Sequence, residues 1–271
     1  MTTAFVLGGG GVLGASEVGM LKALLERGTV PDLIVGASVG ALNGAFVAAD
    51  PSPSAAVRLA DIWSALSASE VFSGSIISRI ASLARSGTHL HGNESLRAMI
   101  DNALPGVRIE DLPVRFECVA ASIERACGQW FSSGPLVDAV LASSAVPGLL
   151  PPVEINGEHY IDGGIVYSIP VGRAVELGAT RVMVLHVGRI ERPLTVPTKP
   201  WEVGLVAFEI SRRHRFAEEM ARMPPDIEVH VLPAAPPEPA GVLRYRDTSQ
   251  VRARIDAAFG ATVEYLDRHG L

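Results

Sequence analysis

Two stretches decide the fold: Ala4-Phe5-Val6-Leu7-Gly8-Gly9-Gly10-Gly11-Val12-Leu13-Gly14 and, further on, Asp32-Leu33-Ile34-Val35-Gly36-Ala37-Ser38-Val39-Gly40. Each is a short apolar run that stops at glycine. Uncharged runs of that length suit strands buried on both faces of a parallel sheet. The first glycines lead into a helix over 14–27, with Gly28 placed as its C-terminal glycine. The second lead into a helix over 38–49, which Pro51 and Pro53 end. Strand, helix, strand, helix is how a parallel α/β sheet begins. The expected fold is a single-domain, three-layer α/β/α arrangement around a mainly parallel sheet.

The rest of the chain extends that pattern. Strands are expected over 115–121, around Trp130-Phe131, over 181–187 and over 228–232, with a hairpin over 153–161 that ends at Asp162. Helices are expected over 94–103 (capped by Asn93), 135–143, 170–178, 202–223 and 249–269. The stretch 54–104 is otherwise irregular. Within it Ile76, Ile77, Ile80, Leu83 and Ala84 form a helical stripe, read first as core and second as a lid over 71–84. The Pro-rich stretch 233–239 reads as a surface connection. One domain over 1–271 is the expectation, with its motif-bearing core at about 4–187 and its remaining helices and strand over 200–271.

Composition limits the function. A net charge of −6 argues against nucleic-acid binding. Cys118 and Cys127 do not make a disulfide framework; without an export signal they read as reduced, buried thiols of a cytoplasmic protein, and they lack metal-site spacing with any histidine. The apolar run 33–49 falls short of a membrane span and carries Gly36, Gly40, Gly44, Ser38 and Asn43, so it reads as strand, turn and helix. No metal and no cofactor is expected.

Gly36-Ala37-Ser38-Val39-Gly40 has the G-x-S-x-G form of a nucleophile elbow, a sharp strand-to-helix turn that presents a serine. Gly36 and Gly40 would let helix and strand approach closely, and the helix N-terminus favours developing negative charge at Ser38. Small-residue turns also produce this pattern with no chemistry attached. The preceding loop strengthens the chemical reading, because the amides of Gly9, Gly10 and Gly11 can converge on the oxyanion of an attacked ester. The same loop also fits the dinucleotide fingerprint G-x-G-x-x-G from Gly9 to Gly14. That weaker reading wants an acidic residue at the end of the second strand, where this chain has Val35-Gly36-Ala37.

A serine needs a base to take its proton. His186 would give the chain order Ser, Asp, His of a triad, but its flanks, Leu185 and Val187, are those of a buried strand. Asp162 ends a hairpin and precedes Gly163-Gly164, whose backbone freedom can aim a carboxylate; Asp-Gly-Gly is also an ordinary turn. The residues alone leave both arrangements open.

Together, Gly8-Gly9-Gly10-Gly11-Val12-Leu13-Gly14, Gly36-Ala37-Ser38-Val39-Gly40 and Asp162-Gly163-Gly164 resemble the patatin-like phospholipases of bacterial type. The flanks Ala142-Ser143-Ser144-Ala145-Val146-Pro147-Gly148 and Ile165-Val166-Tyr167-Ser168-Ile169-Pro170 agree, and the resemblance runs from about Ala4 to Val187. It implies a serine acyl hydrolase of lipid esters, of phospholipase A, lysophospholipase or esterase type. Ser38 would be the nucleophile, Asp162 the base with no histidine, and Gly9, Gly10 and Gly11 the oxyanion donors, supported by Gly14, Gly36, Gly40, Gly163 and Gly164. The partners implied are a lipid or ester substrate and transient contact with a membrane surface, with a location in the cytoplasm or peripheral at the membrane. Arg212, Arg213 and Arg215 would form a solvated helix face, or else meet anionic lipid. One departure stands out: Leu13 occupies the place where the family usually carries Arg or Lys, which favours neutral esters or lysolipids over phosphate head groups. It is also the feature that favours a non-catalytic interaction protein on the same fold.

Overall fold

The computed structural model describes residues 1–68, 91–187, 193–233 and 250–271. The lid candidate at 71–84 lies outside them, as does most of the connection over 233–239. The strands are β1 (Thr3–Leu7), β2 (Leu33–Ala37), β3 (Arg115–Ser122), β4 (Cys127–Phe131), β5 (Val153–Ile155), β6 (Glu158–Asp162), β7 (Arg181–Leu185) and β8 (Glu228–Val231). They form one sheet in the order β5-β6-β3-β2-β1-β7-β8, with β4 also paired to β3. The five strands β3, β2, β1, β7 and β8 run parallel; β4, β5 and β6 add antiparallel pairs at one side.

The described α-helices are α1 (Ala15–Glu26), α2 (Val39–Ala49), α3 (Pro53–Ala68), α4 (Glu94–Ala103), α5 (Leu136–Ser143), α6 (Gly164–Tyr167), α7 (Val171–Glu176), α8 (Pro200–Ala221) and α9 (Val251–His269). Strand alternation divides the apolar side chains between two cores. Phe5, Leu7, Ile34, Met183 and Leu185 face one core with α1, α2, α3, α5 and α9. Ala4, Val6, Leu33, Val35, Val182 and Val184 face the other with α7 and Phe216 of α8. Two cores sharing one sheet make the expected three layers. Among the described residues, no helix is long and apolar enough to cross a membrane.

Several local expectations needed adjustment. The first helix is preceded by a 3-10 turn (Gly11–Gly14), and Gly28 at φ 76° follows its end, as the motif requires. Asn93 stands at the N-cap of α4, but its side chain makes no capping bond. Helix α3 falls in the stretch read as irregular; its packing on α1 and α2, with Trp63 buried, supplies what its own pattern lacked. Cys118 is buried as expected, and its thiol is pushed up by desolvation, whereas Cys127 is exposed at the start of the edge strand β4.

Candidate active site

The carboxyl ends of β1 and β2 and the end of β6 meet at one place. In parallel sheets that end is where ligands bind. Leu7 stands opposite Gly36 in the β1–β2 register, so the glycine loop and the elbow leave the sheet side by side. Asp162 pairs with Ala120 of β3, which carries the hairpin's end to the same side.

Ser38 is the N-cap of α2, with φ 54° and ψ −126°. A side-chain-bearing residue held there stores about 1–3 kcal/mol of strain, and such strain persists only where the surroundings over-determine it. They do so here. The Ser38 N–H donates to Ser143 Oγ at 2.9 Å, and Ser144 Oγ donates to the Ser38 carbonyl at 3.2 Å. The helix can start this close to the sheet because of Gly40, where a Cβ would stand 2.4 Å from the Leu7 carbonyl oxygen. Gly36 and Gly14 face the same crowding, against Ala41 and Val39 respectively.

Ser38 Oγ donates to Asp162 Oδ2 at 2.5 Å, and the Gly164 N–H donates to Asp162 Oδ1 at 2.7 Å. The segment 143–145 holds this carboxylate as well as the serine: the Asp162 N–H donates to Ala145 O and the Gly163 N–H to Ser143 O. Gly163 has no room for a side chain, since a Cβ would lie 2.0 Å from the Val119 carbonyl oxygen. Asp162 is 5% exposed, and burial raises its carboxyl from the usual 3.8 to about 6, against the lowering effect of its two hydrogen bonds. It is thus a stronger base than a free aspartate and still mostly ionised at neutral pH.

His186 is brought elsewhere. Among the described residues, the Asp162 carboxylate accepts from Ser38 Oγ and the Gly164 N–H, and His186 is not a partner. The His186 ring is buried beside Phe216, with centroids 6.4 Å apart. In the glycine loop, the Gly9 N–H is committed to Ser168 O at 2.9 Å. Gly10 and Gly11 donate to no backbone carbonyl among the described residues. A Cβ on Gly9 would lie 3.3 Å from Ser38 Cβ, so its bareness lets the loop close over the serine. Leu13, whose N–H donates to Gly10 O, lies in the 3-10 turn Gly11–Gly14.

Three residues of the site carried no chemical signal in the sequence: Ser143, Ser144 and Ser168. Serine is common in turns and caps, and only the tertiary contacts distinguish these. The arginines of α8 divide: Arg215 is exposed, as a solvated face requires, Arg213 is half-buried and Arg212 is not on that face. Arg212 is buried, forms a bidentate pair with Glu209 at 2.8 and 2.9 Å, and so is neither a solvated face nor a lipid contact. Arg213 shares the same carboxylate, and Arg215 lies over the Tyr167 ring. Among the described residues, no cluster of His, Cys, Asp and Glu could hold a metal ion.

Known proteins resemble this chain in sequence and in fold. The chain is 33% identical over 198 residues to "Lysophospholipase NTE1" of Coccidioides immitis, covering 70% of this chain and 12% of that protein. It is 31% identical over 189 residues to "Patatin-like phospholipase domain-containing protein 6" of Mus musculus, covering 69% of this chain and 14% of that protein. The match thus spans only about an eighth of these relatives' length. Among solved structures, VipD from Legionella pneumophila superposes with a TM-score of 0.52 at 17% identity, covering 99% of this chain and 67% of that one, a likeness of fold. The family model described as "Patatin-like phospholipase" matches residues 5–175, which contain every motif above, and the chain belongs to that family.

Proposed function

We propose that this chain is a serine acyl hydrolase of lipid esters that works through a Ser38–Asp162 dyad, with no histidine. The observation that carries the reading is the 2.5 Å hydrogen bond from Ser38 Oγ to a buried carboxylate whose proton affinity is raised. Asp162 takes the serine's proton as Ser38 Oγ attacks the ester carbonyl carbon. The carbonyl oxygen gains charge beside the Gly10 and Gly11 amides and the N-terminus of α2. Asp162 then hands the proton to the leaving alcohol, the acyl group stays on Ser38, and water reverses the steps. The part assigned to Gly9 is steric, because its amide is already used.

Leu13 gives the glycine-loop turn an apolar side chain in place of a cation, which supports esters with an uncharged or single-chain character over doubly acylated anionic phospholipids. The relatives named lysophospholipases point the same way. Transient contact with a membrane surface belongs to this proposal, since the substrates lie in aggregates.

Incubating the folded chain with a fluorophosphonate probe tests the reading. Wild type should label once and Ser38→Ala not at all. An unlabelled wild type, or equal labelling of the variant, removes the serine hydrolase. A panel of lysolipids, phospholipids and neutral glycerides, scored by released fatty acid, then ranks the substrates.

A further inference from the structure

We infer that Ser168 is a substrate-contacting residue of this site: its hydroxyl holds the position taken first by the oxygen of the leaving alcohol and then by the oxygen of the attacking water. The inference rests on the hydrolase reading above and adds a residue to it. Ser168 is 4% exposed, and its Oγ is closed off from solvent with no hydrogen-bond partner among the described residues. Buried hydroxyls are nearly always paired, so an unpaired one in a native site calls for a ligand.

Its position says which ligand atom. The point where a Cβ on Gly9 would stand lies 3.3 Å from Ser38 Cβ and 3.5 Å from Ser168 Oγ. The matching point on Gly164 lies 2.8 Å from Asp162 Oδ1 and 3.8 Å from Ser168 Oγ. The hydroxyl therefore sits between the two bare glycines that border the dyad, one beside Ser38 and the other beside Asp162. Its backbone is fixed there, because Ser168 O accepts the Gly9 N–H. The oxyanion is served from the other part of the loop, by Gly10 and Gly11. What remains beside Asp162 is the oxygen that exchanges a proton with it.

That oxygen is the same site in both half-reactions. In the first, Asp162 gives its proton to the ester's alkyl oxygen as the bond from that oxygen to the acyl carbon breaks. In the second, water gives a proton to Asp162 as its oxygen bonds to the acyl carbon; Ser38 Oγ then leaves and takes the proton back. Ser168 transfers nothing. It donates a hydrogen bond to the entering or leaving oxygen and orients it, a positional effect.

The test uses the full chain, wild type and Ser168→Ala, with a p-nitrophenyl ester followed from the first turnover. Nitrophenolate leaves without help, so acylation should persist, seen as a full burst and unchanged kcat/KM. Deacylation needs the held water, so kcat should fall about 10–100-fold and KM with it. Hydroxylamine, a stronger nucleophile than water, should restore turnover of the variant more than that of wild type. Fluorophosphonate labelling and the melting midpoint of the variant should match wild type. Unchanged kcat, or loss of labelling together with activity, overturns the assignment. A wild type that neither labels nor turns over removes the hydrolase reading itself, a result distinct from an active wild type with an indifferent Ser168→Ala.

Discussion

At Asp162 the requirements of catalysis and of stability oppose each other. The folded chain holds this proton up to pH about 6, whereas the unfolded chain releases it near 3.8. The unfolded state therefore binds fewer protons between those values, and stability is lost as pH rises from about 4 to about 6. The loss is of order 3 kcal/mol for a shift of this size. Asp162→Asn should remove that slope and melt above wild type at pH 8, while ester hydrolysis falls at least ~10³-fold, the order a positioned base contributes. Melting curves at pH 4, 6 and 8 for both proteins check the first part; a variant with the wild-type slope would show that another group titrates. In wild type, kcat/KM should drop below pH about 6 as the base becomes protonated. His186→Ala should leave that profile in place, and its disappearance in that variant would restore the triad.

Helices α1 and α2 are joined by a buried polar network. Asn43 Nδ2 donates to Glu17 Oε2 at 2.8 Å and to Gly14 O at 3.0 Å, and Trp63 Nε1 of α3 donates to Asn43 Oδ1 at 3.0 Å. Burial raises the Glu17 carboxyl well above its ordinary value, so the neutral acid is favoured there. Glu17→Gln, neutral at every pH, should melt at or above wild type. Glu17→Ala leaves one Asn43 Nδ2 hydrogen unpaired in the core and should cost about 1–3 kcal/mol, read by denaturant titration. Because Gly14 and Asn43 flank the glycine loop and the nucleophile helix, the alanine variant should also label more slowly with fluorophosphonate. Unchanged stability in Glu17→Ala would mean that the network contributes nothing. Within the elements themselves, β1, β2, β7 and α2 were legible in the sequence because glycine or proline punctuates apolar runs. Helix α3 was not, because its stability comes from packing Leu59 and Trp63 against neighbours that are distant in sequence.

Across the whole molecule, α9 closes the core over α1. The contact centres on Gly19, where a Cβ would stand 2.1 Å from the Ile255 carbonyl oxygen and 2.7 Å from the Phe259 nitrogen. In an isolated helix Gly→Ala would stabilise by about 1 kcal/mol. Here the clash is with backbone, which cannot swing aside, so Gly19→Ala should destabilise by about 2 kcal/mol or more, measured as a fall in Cm at constant m. A stabilised variant would mean that α9 shifts freely on α1.

The sequence by itself determined the alternation of buried strands and helices, the elbow at Ser38, the glycine loop and the aspartate turn. Those features depend on residues next to one another in the chain, where apolar period, glycine and proline act locally. Tertiary structure decided what lies between them. It brought Asp162 rather than His186 to Ser38 and spent the Gly9 amide on Ser168. It buried Arg212 against Glu209 and set Ser143 and Ser144 to hold the strained serine. These outcomes depend on which strands pair and how near two glycine turns come, distances that no local pattern encodes.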